Sequence, residues 1–224
     1  MMKKILAAIV LAANFICTGA FAAAIERSAP VAVMDFGTRP GATVAEININ
    51  NAEHTTSEYI ITRLVNRSCF DVKDKDLVMG YLQEQHLNTV GLIDPDTAKC
   101  IGDALNTRYL LYGNVTNVNV SETGTQLDFK ITGGVNICTV KAHIIARVMD
   151  VETGDIVMVA KGEGKSKSSF VKAGQKFAGT IKIGAAKVTQ DSVHNAIQKA
   201  AYTAVDDLIF RLYGEDNKKW KIKM

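Results

Sequence analysis

The sequence is short of most features that announce an enzyme. Of its 224 residues, 3 are proline, 4 are cysteine and 1 is tryptophan. It has no G-x-S-x-G, no H-E-x-x-H and no complete phosphate-binding loop. Gly162-Glu-Gly164-Lys-Ser166 resembles the end of such a loop, but lacks the four-residue gap before Gly-Lys and does not open a helix. The histidines, His54, His86, His143 and His194, have no cysteine or carboxylate at ligand spacing, so they read as solvated or satisfied side chains. Asp94-Pro-Asp96 offers two carboxylates, but in this setting it reads as a turn into a helix cap. No catalytic residue, cofactor or metal is indicated.

Charge is also scarce in one sense. The chain holds 26 basic and 23 acidic residues, and two of the basic ones, Lys3 and Lys4, lie in a leader. Near neutrality argues against a nucleic-acid partner. Apolar residues make up 47% and charged residues 22%, ordinary values for a globular chain.

The leader spans 1–22. A positive start is followed by an apolar stretch from Ile5 to Ile16 and an Ala20-Phe21-Ala22 cleavage site, with Ala22-Ala23-Ala24 as another. The alternative, a membrane anchor, falls short of the ~20 apolar residues needed to span. Cys17 follows Ile16, whereas lipid attachment requires a small residue there, so it reads as part of the discarded peptide. The mature protein is expected to be exported.

Three cysteines then remain, Cys69, Cys100 and Cys138, in an oxidising compartment. An odd count leaves at least one thiol in a monomer. Cys69 with Cys100 is the preferred disulfide; three small buried hydrophobes are the alternative. Their wide spacings fit no zinc pattern.

The rest of the chain is well patterned. Pro30 to Phe36 is an apolar run that reads as a central strand. Ala52 to Asn66 reads as a helix capped by Asn51, with Ile60, Ile61, Leu64 and Val65 inward. Cys69 to Lys73 is a second short strand. Asp76 to Gln85 is a helix burying Leu77, Val78, Tyr81 and Leu82. Asp96 to Leu105 is another, burying Ala98, Ile101 and Leu105.

From Arg108 the period becomes two. A strand runs to Val120, Glu122 to Gly124 reads as a turn, and Gln126 to Thr132 alternates up to a Gly133-Gly134 tip. Val140 to Val148 and Ile156 to Ala160 form a strand pair about a turn at Asp150 to Asp155. The apolar pattern then stops in Gly, Lys and Ser. A long last helix, capped by Asp191 or Ser192, buries Val193, Ile197, Ala200, Ala201, Ala204 and Leu208. Gly214 ends it, and 215–224 is a charged tail. The fold class is α/β: helices packed on a mixed β-sheet, with two β-hairpin extensions and a long C-terminal helix.

The serial order of five stretches resembles the CsgG/HfaB family of curli-type outer-membrane secretion components. They are VAVMDFG (31–37), RLVNRSCFDVKDKDLVMGYLQEQHL (63–87), NTRYLLYGNV (106–115), ARVMDVETGDIV (146–157) and AIQKAAYTAVDDLIFRLYG (196–214). The resemblance implies one α/β domain over 23–214, non-enzymatic and homo-oligomeric. It places hairpins near 116–139 and 164–189 that close jointly into a barrel, with envelope or exported proteins as partners and the outer membrane as the surface met. Leu127, Phe129, Ile131, Val135 and Ile137 would then face lipid. The second segment fits lipid poorly, because Lys172, Lys176, Lys182 and Lys187 dilute it; each lysine at mid-bilayer costs ~2–4 kcal/mol. The absent lipid-anchor cysteine departs from the family pattern. A soluble periplasmic accessory module of the same fold is the alternative.

Overall fold

Apolar residues that run on without a polar partner mark a strand covered on both faces. Strand β1 (Pro30–Val33) is such a strand. In this computed structural model, which describes residues 29–38, 52–87, 93–125, 135–171, 180–183 and 186–213, it lies inside the main sheet. The leader, Asn51, Gly133-Gly134, Gly214 and the tail fall outside those residues.

Two short strands complete the first half, β2 (Gly37–Thr38) and β3 (Asp71–Val72). Three long ones follow: β4 (Tyr109–Thr125), β5 (Val135–Asp150) and β6 (Ile156–Val171). The order is β3-β1-β4-β5-β6, with β2 also on β4. β1 is parallel to both its neighbours, while β4, β5 and β6 are antiparallel. A separate antiparallel pair joins β7 (Thr180–Ile183) and β8 (Ala186–Thr189).

Four helices are described: α1 (Ala52–Arg67), α2 (Lys75–Glu84), α3 (Pro95–Leu105) and α4 (Gln190–Tyr213). α1 and α4 cover one face of the sheet, over Val31, Val33, Tyr109, Leu111, Ile144 and Val148. α2 and α3 cover part of the other, over Ala32, Met34, Leu110, Tyr112 and Met149.

The α3 face is as the spacing predicts, with Ala98, Ile101 and Leu105 buried. Asp94 caps it by accepting from the Thr97 amide at 2.9 Å. Other helices differ in detail. The core stripe of α1 runs through Thr56, Ser57, Ile60 and Leu64, while Val65 is 54% exposed. Of the four apolar residues expected inward, Ile60 and Leu64 are buried and Ile61 packs against the core, and Val65 alone is turned out. On α2, Leu77 is turned out and Lys75 is buried. The cap of α4 is Thr189, whose Oγ1 accepts from the Ser192 amide at 3.3 Å, rather than Asp191 or Ser192.

The largest difference lies in the strands. Glu122 to Gly124 is not a turn: β4 continues through it, with Gly124 opposite Asn136. The Gly/Lys/Ser stretch is likewise strand, paired with β5 as far as Val171.

Candidate functional site

Past α2 and α3, β4, β5 and β6 run on as a three-stranded ribbon still covered on one face by α4. Cross-strand register puts its side chains in rows. One set reads Gly113, Ala146, Ala160; then Val115, Ile144, Gly162; then Val118, Ala142, Gly164; then Val120, Val140, Ser166. These are small or apolar. The alternate set reads Tyr112, Arg147, Val159; then Asn114, Ile145, Lys161; then Asn117, His143, Glu163; then Asn119, Lys141, Lys165; then Ser121, Thr139, Lys167. These are mostly polar, and their charged members are basic except Glu163. A register shift between Val115 and Asn117 keeps the two sets on their own faces.

The small set lies beneath α4. A β-carbon on Gly162 would overlap the Ala200 carbonyl and stand 2.7 Å from the Ala204 amide nitrogen. One on Gly164 would overlap the Ala196 carbonyl and the Ala200 amide. Glycine therefore recurs here because the helix backbone rests directly on the strand. The alanines Ala196, Ala200 and Ala204, all buried, form the matching stripe. The phosphate-loop look of Gly162 to Ser166 thus has a packing cause.

β6 is the edge strand of the sheet. α4 covers part of its open edge with side chains: the Lys161 amide donates to Asp207 Oδ2 at 3.0 Å, and Lys199 Nζ donates to the Lys165 carbonyl at 3.2 Å. Such caps reduce edge-to-edge pairing without removing it. A hollow of about 700 Å³ takes its lining from Asn117, His143, Lys161 and Glu163, among other residues.

A second cluster sits at the carboxyl end of β1. Lys75 Nζ donates to Asp35 Oδ1 at 2.7 Å and to the Val33 carbonyl at 3.4 Å. Ser57 Oγ donates to the same carboxylate at 2.9 Å, and His54 Nδ1 is 3.7 Å from it. Burial pushes the Asp35 carboxyl up, but the Lys75 bond and charge, with Ser57 and His54, outweigh it and hold it below the usual value. Both charges are therefore committed to each other. The pair ties the end of β1 to the start of α2.

A third cluster joins α1 to α4. Arg63 donates to both oxygens of Asp206, at 3.1 and 2.7 Å, and Arg67 adds a bond at 2.9 Å. The Arg63 guanidinium also lies 5.1 Å from the Tyr202 ring centre. No group of three metal-ligating side chains occurs among the described residues.

The family model for the curli production assembly/transport component CsgG matches residues 18–222. The chain belongs to the CsgG family. No curated protein matches it in sequence. Among solved structures it is similar to the LpoB C-terminal domain from Salmonella enterica, at 20% identity and a TM-score of 0.42, covering 62% of this chain and 84% of that one. It is also similar to lipoprotein GNA1162 from Neisseria meningitidis, at 15% identity and a TM-score of 0.42, over 62% and 84%. The PelC dodecamer from Paraburkholderia phytofirmans gives 15% identity and a TM-score of 0.36, over 81% and 91%.

Within this CsgG-family chain, the anticipated hairpin near 116–139 corresponds to the distal arms of β4 and β5. In the segment near 164–189, Gly164 to Val171 is the third strand of the ribbon, and β7 and β8 form their own pair. Of the candidate lipid-facing residues, Leu127, Phe129 and Ile131 lie outside the described residues, as does the side chain of Val135. Ile137 is on β5 and 37% exposed.

The anticipated Cys69–Cys100 disulfide is not formed. Cys69 packs against the core beneath α1 and α4, its Sγ donating to the Arg67 carbonyl at 3.2 Å. Cys100 is exposed on α3, across the sheet. The sequence separation allowed the loop, but the sheet stands between its ends. The basic rows were missed altogether. Their signal was present as Lys161, Lys165 and Lys167 at period two, hidden because the local pattern read as a Gly, Lys and Ser break and only the family resemblance placed a hairpin there.

Proposed function

We propose that this protein is a non-enzymatic, exported component of a cell-envelope assembly or transport apparatus, working as a homo-oligomer. The observation that carries the reading is the β4–β5–β6 ribbon, which outgrows the domain sheet and presents a long edge strand. Family membership supports the assembly and transport theme. The clusters at Asp35 and Asp206 are internal ties, each carboxylate held by basic side chains.

Within this reading, the ribbon rows out to Ser121, Thr139 and Lys167 are not a lipid-facing wall. Its small face is under α4, and its outer face carries Lys141, Lys161, Lys165 and Lys167. At mid-bilayer each would cost ~2–4 kcal/mol. A pore subunit would build its wall beyond these rows, with Leu127, Phe129, Ile131, Val135 and Ile137 toward lipid. The soluble accessory module is the second reading, and the lysine-lined face favours it. Fractionating cells that export the protein, then testing the membrane extract for conductance across a bilayer, tests both. Conductance supports the pore subunit. Recovery in the envelope without conductance supports the accessory module. Recovery only in the cytoplasm overturns the proposal.

A further inference from the structure

We propose that the outer face of the ribbon docks on an anionic phospholipid surface. This goes beyond the assembly reading and requires no pore or ring; it rests on that reading only for where a bilayer is met.

The argument starts from how the charge is sorted. The whole chain is close to neutral. Yet the outer rows gather Lys161, Lys141, Lys165 and Lys167, with a half-buried Arg147, against a single carboxylate, Glu163. His143 stands 3.9 Å from Glu163. Among the described residues no carboxylate forms an ion pair with any of the five cations. Lys141 and Lys165 face each other directly across the strands, a placement that destabilises an isolated sheet.

The compensating acid lies at the other end. α3 and the β5–β6 turn carry exposed Asp94, Asp96, Asp103, Glu152 and Asp155 against Lys99 and Arg108, the latter 3.6 Å from Glu152. They are one unit, since Gly102 abuts Val151 and Gly154 abuts Pro95. Ten residues of β5 separate Val151 from Lys141, or ~33 Å of strand. The molecule is therefore electrically polar along the strand axis, basic along the ribbon and acidic at its base. An anionic surface would attract the ribbon and repel the base.

The texture of the face selects the partner. Protein interfaces centre on aromatic and apolar anchors and are depleted in lysine. Single-stranded nucleic acid is held on aromatic platforms. The exposed rows offer neither: their third column is Asn114, Asn117, Asn119 and Ser121, and their apolar members are Ile145 and Val159. A lysine-rich face whose tyrosine, Tyr112, is buried suits a diffuse field of phosphate headgroups, where each cation acts nearly independently.

The test is flotation of the full exported protein with vesicles of phosphatidylcholine alone or mixed with phosphatidylglycerol, at low and high salt. Binding is expected only with phosphatidylglycerol, and is expected to weaken with salt. Combining Lys141→Gln, Lys165→Gln and Lys167→Gln should weaken it about a hundredfold, from ~1 kcal/mol per cation near such a surface. Lys73→Gln with Lys99→Gln, outside the ribbon, should leave it unchanged. Circular dichroism checks that the triple variant folds; if it does not, Lys167→Gln alone should weaken binding about fivefold. The proposal is overturned by equal binding to both vesicles, or by full binding of the triple variant. It is also overturned if binding follows the tail lysines Lys218, Lys219, Lys221 and Lys223 instead. Tighter capture by a nucleic acid or an acidic protein than by the phosphatidylglycerol vesicles, at the same salt, would overturn it too.

Discussion

Alanine at Gly162 is the sharpest test of how α4 seats on the ribbon. The new methyl group would occupy the position of the Ala200 carbonyl and lie 2.8 Å from the Ala204 β-carbon. Carbon atoms rest at ~3.5–4.0 Å, so the helix must withdraw by roughly 1 Å. Overpacking of this kind costs ~1–3 kcal/mol. Replacing glycine returns ~0.4–1 kcal/mol through the unfolded chain. The net is a loss of about 1–2 kcal/mol. In a chain of this size that lowers Tm by about 2–8 °C. Gly164→Ala should cost a similar amount, because the Ala196 carbonyl blocks it in the same way. One withdrawal of α4 relieves both clashes, so the double variant should lose less than the sum. Thermal and urea melts of the two single variants and the double variant measure this directly. Unchanged or raised stability in either single variant would refute the reasoning, and so would strict additivity.

Lys75→Met should destabilise by ~3–5 kcal/mol, because Asp35 is left buried without its counter-charge; urea denaturation checks it. In the unaltered protein Asp35 binds its proton less readily when folded than when unfolded. Its contribution is therefore present above the ordinary carboxylate pKa and lost as pH falls below about 4, and a pH series of melts should show that loss, weakened in Asp35→Asn. Asp206→Asn should cost only about 1 kcal/mol, since the site is 40% exposed and screened by water and salt. Peptide mapping without reduction should find no Cys69–Cys100 linkage, and alkylation should modify exposed Cys100 faster than buried Cys138.

The sequence carried the domain well and the ribbon poorly, for physical reasons. Where burial is apolar and periodic, as on α3 and α4, the inward residues could be read directly. Thr56 and Ser57 were overlooked because small hydroxyl residues also fill core positions: Ser57 Oγ is met locally by the His54 carbonyl at 2.7 Å, while Thr56 Oγ1 is buried without a partner among the described residues. β6 was cut short at Ala160 because its inner face is Ala160, Gly162, Gly164 and Ser166. Those residues signal a loop by composition but serve a strand pressed against helix backbone. By local pattern alone the alternate lysines therefore belonged to a break in Gly, Lys and Ser rather than to one face of a sheet. The Asp35–Lys75 tie spans elements far apart in sequence, so no local pattern could reveal it.

The mass of the envelope-extracted protein in mild detergent tests the central claim most directly. The account predicts one discrete species several times the mass of a single leader-cleaved chain, itself smaller than the 24.2 kDa of all 224 residues. A lone chain under every extraction condition would contradict it.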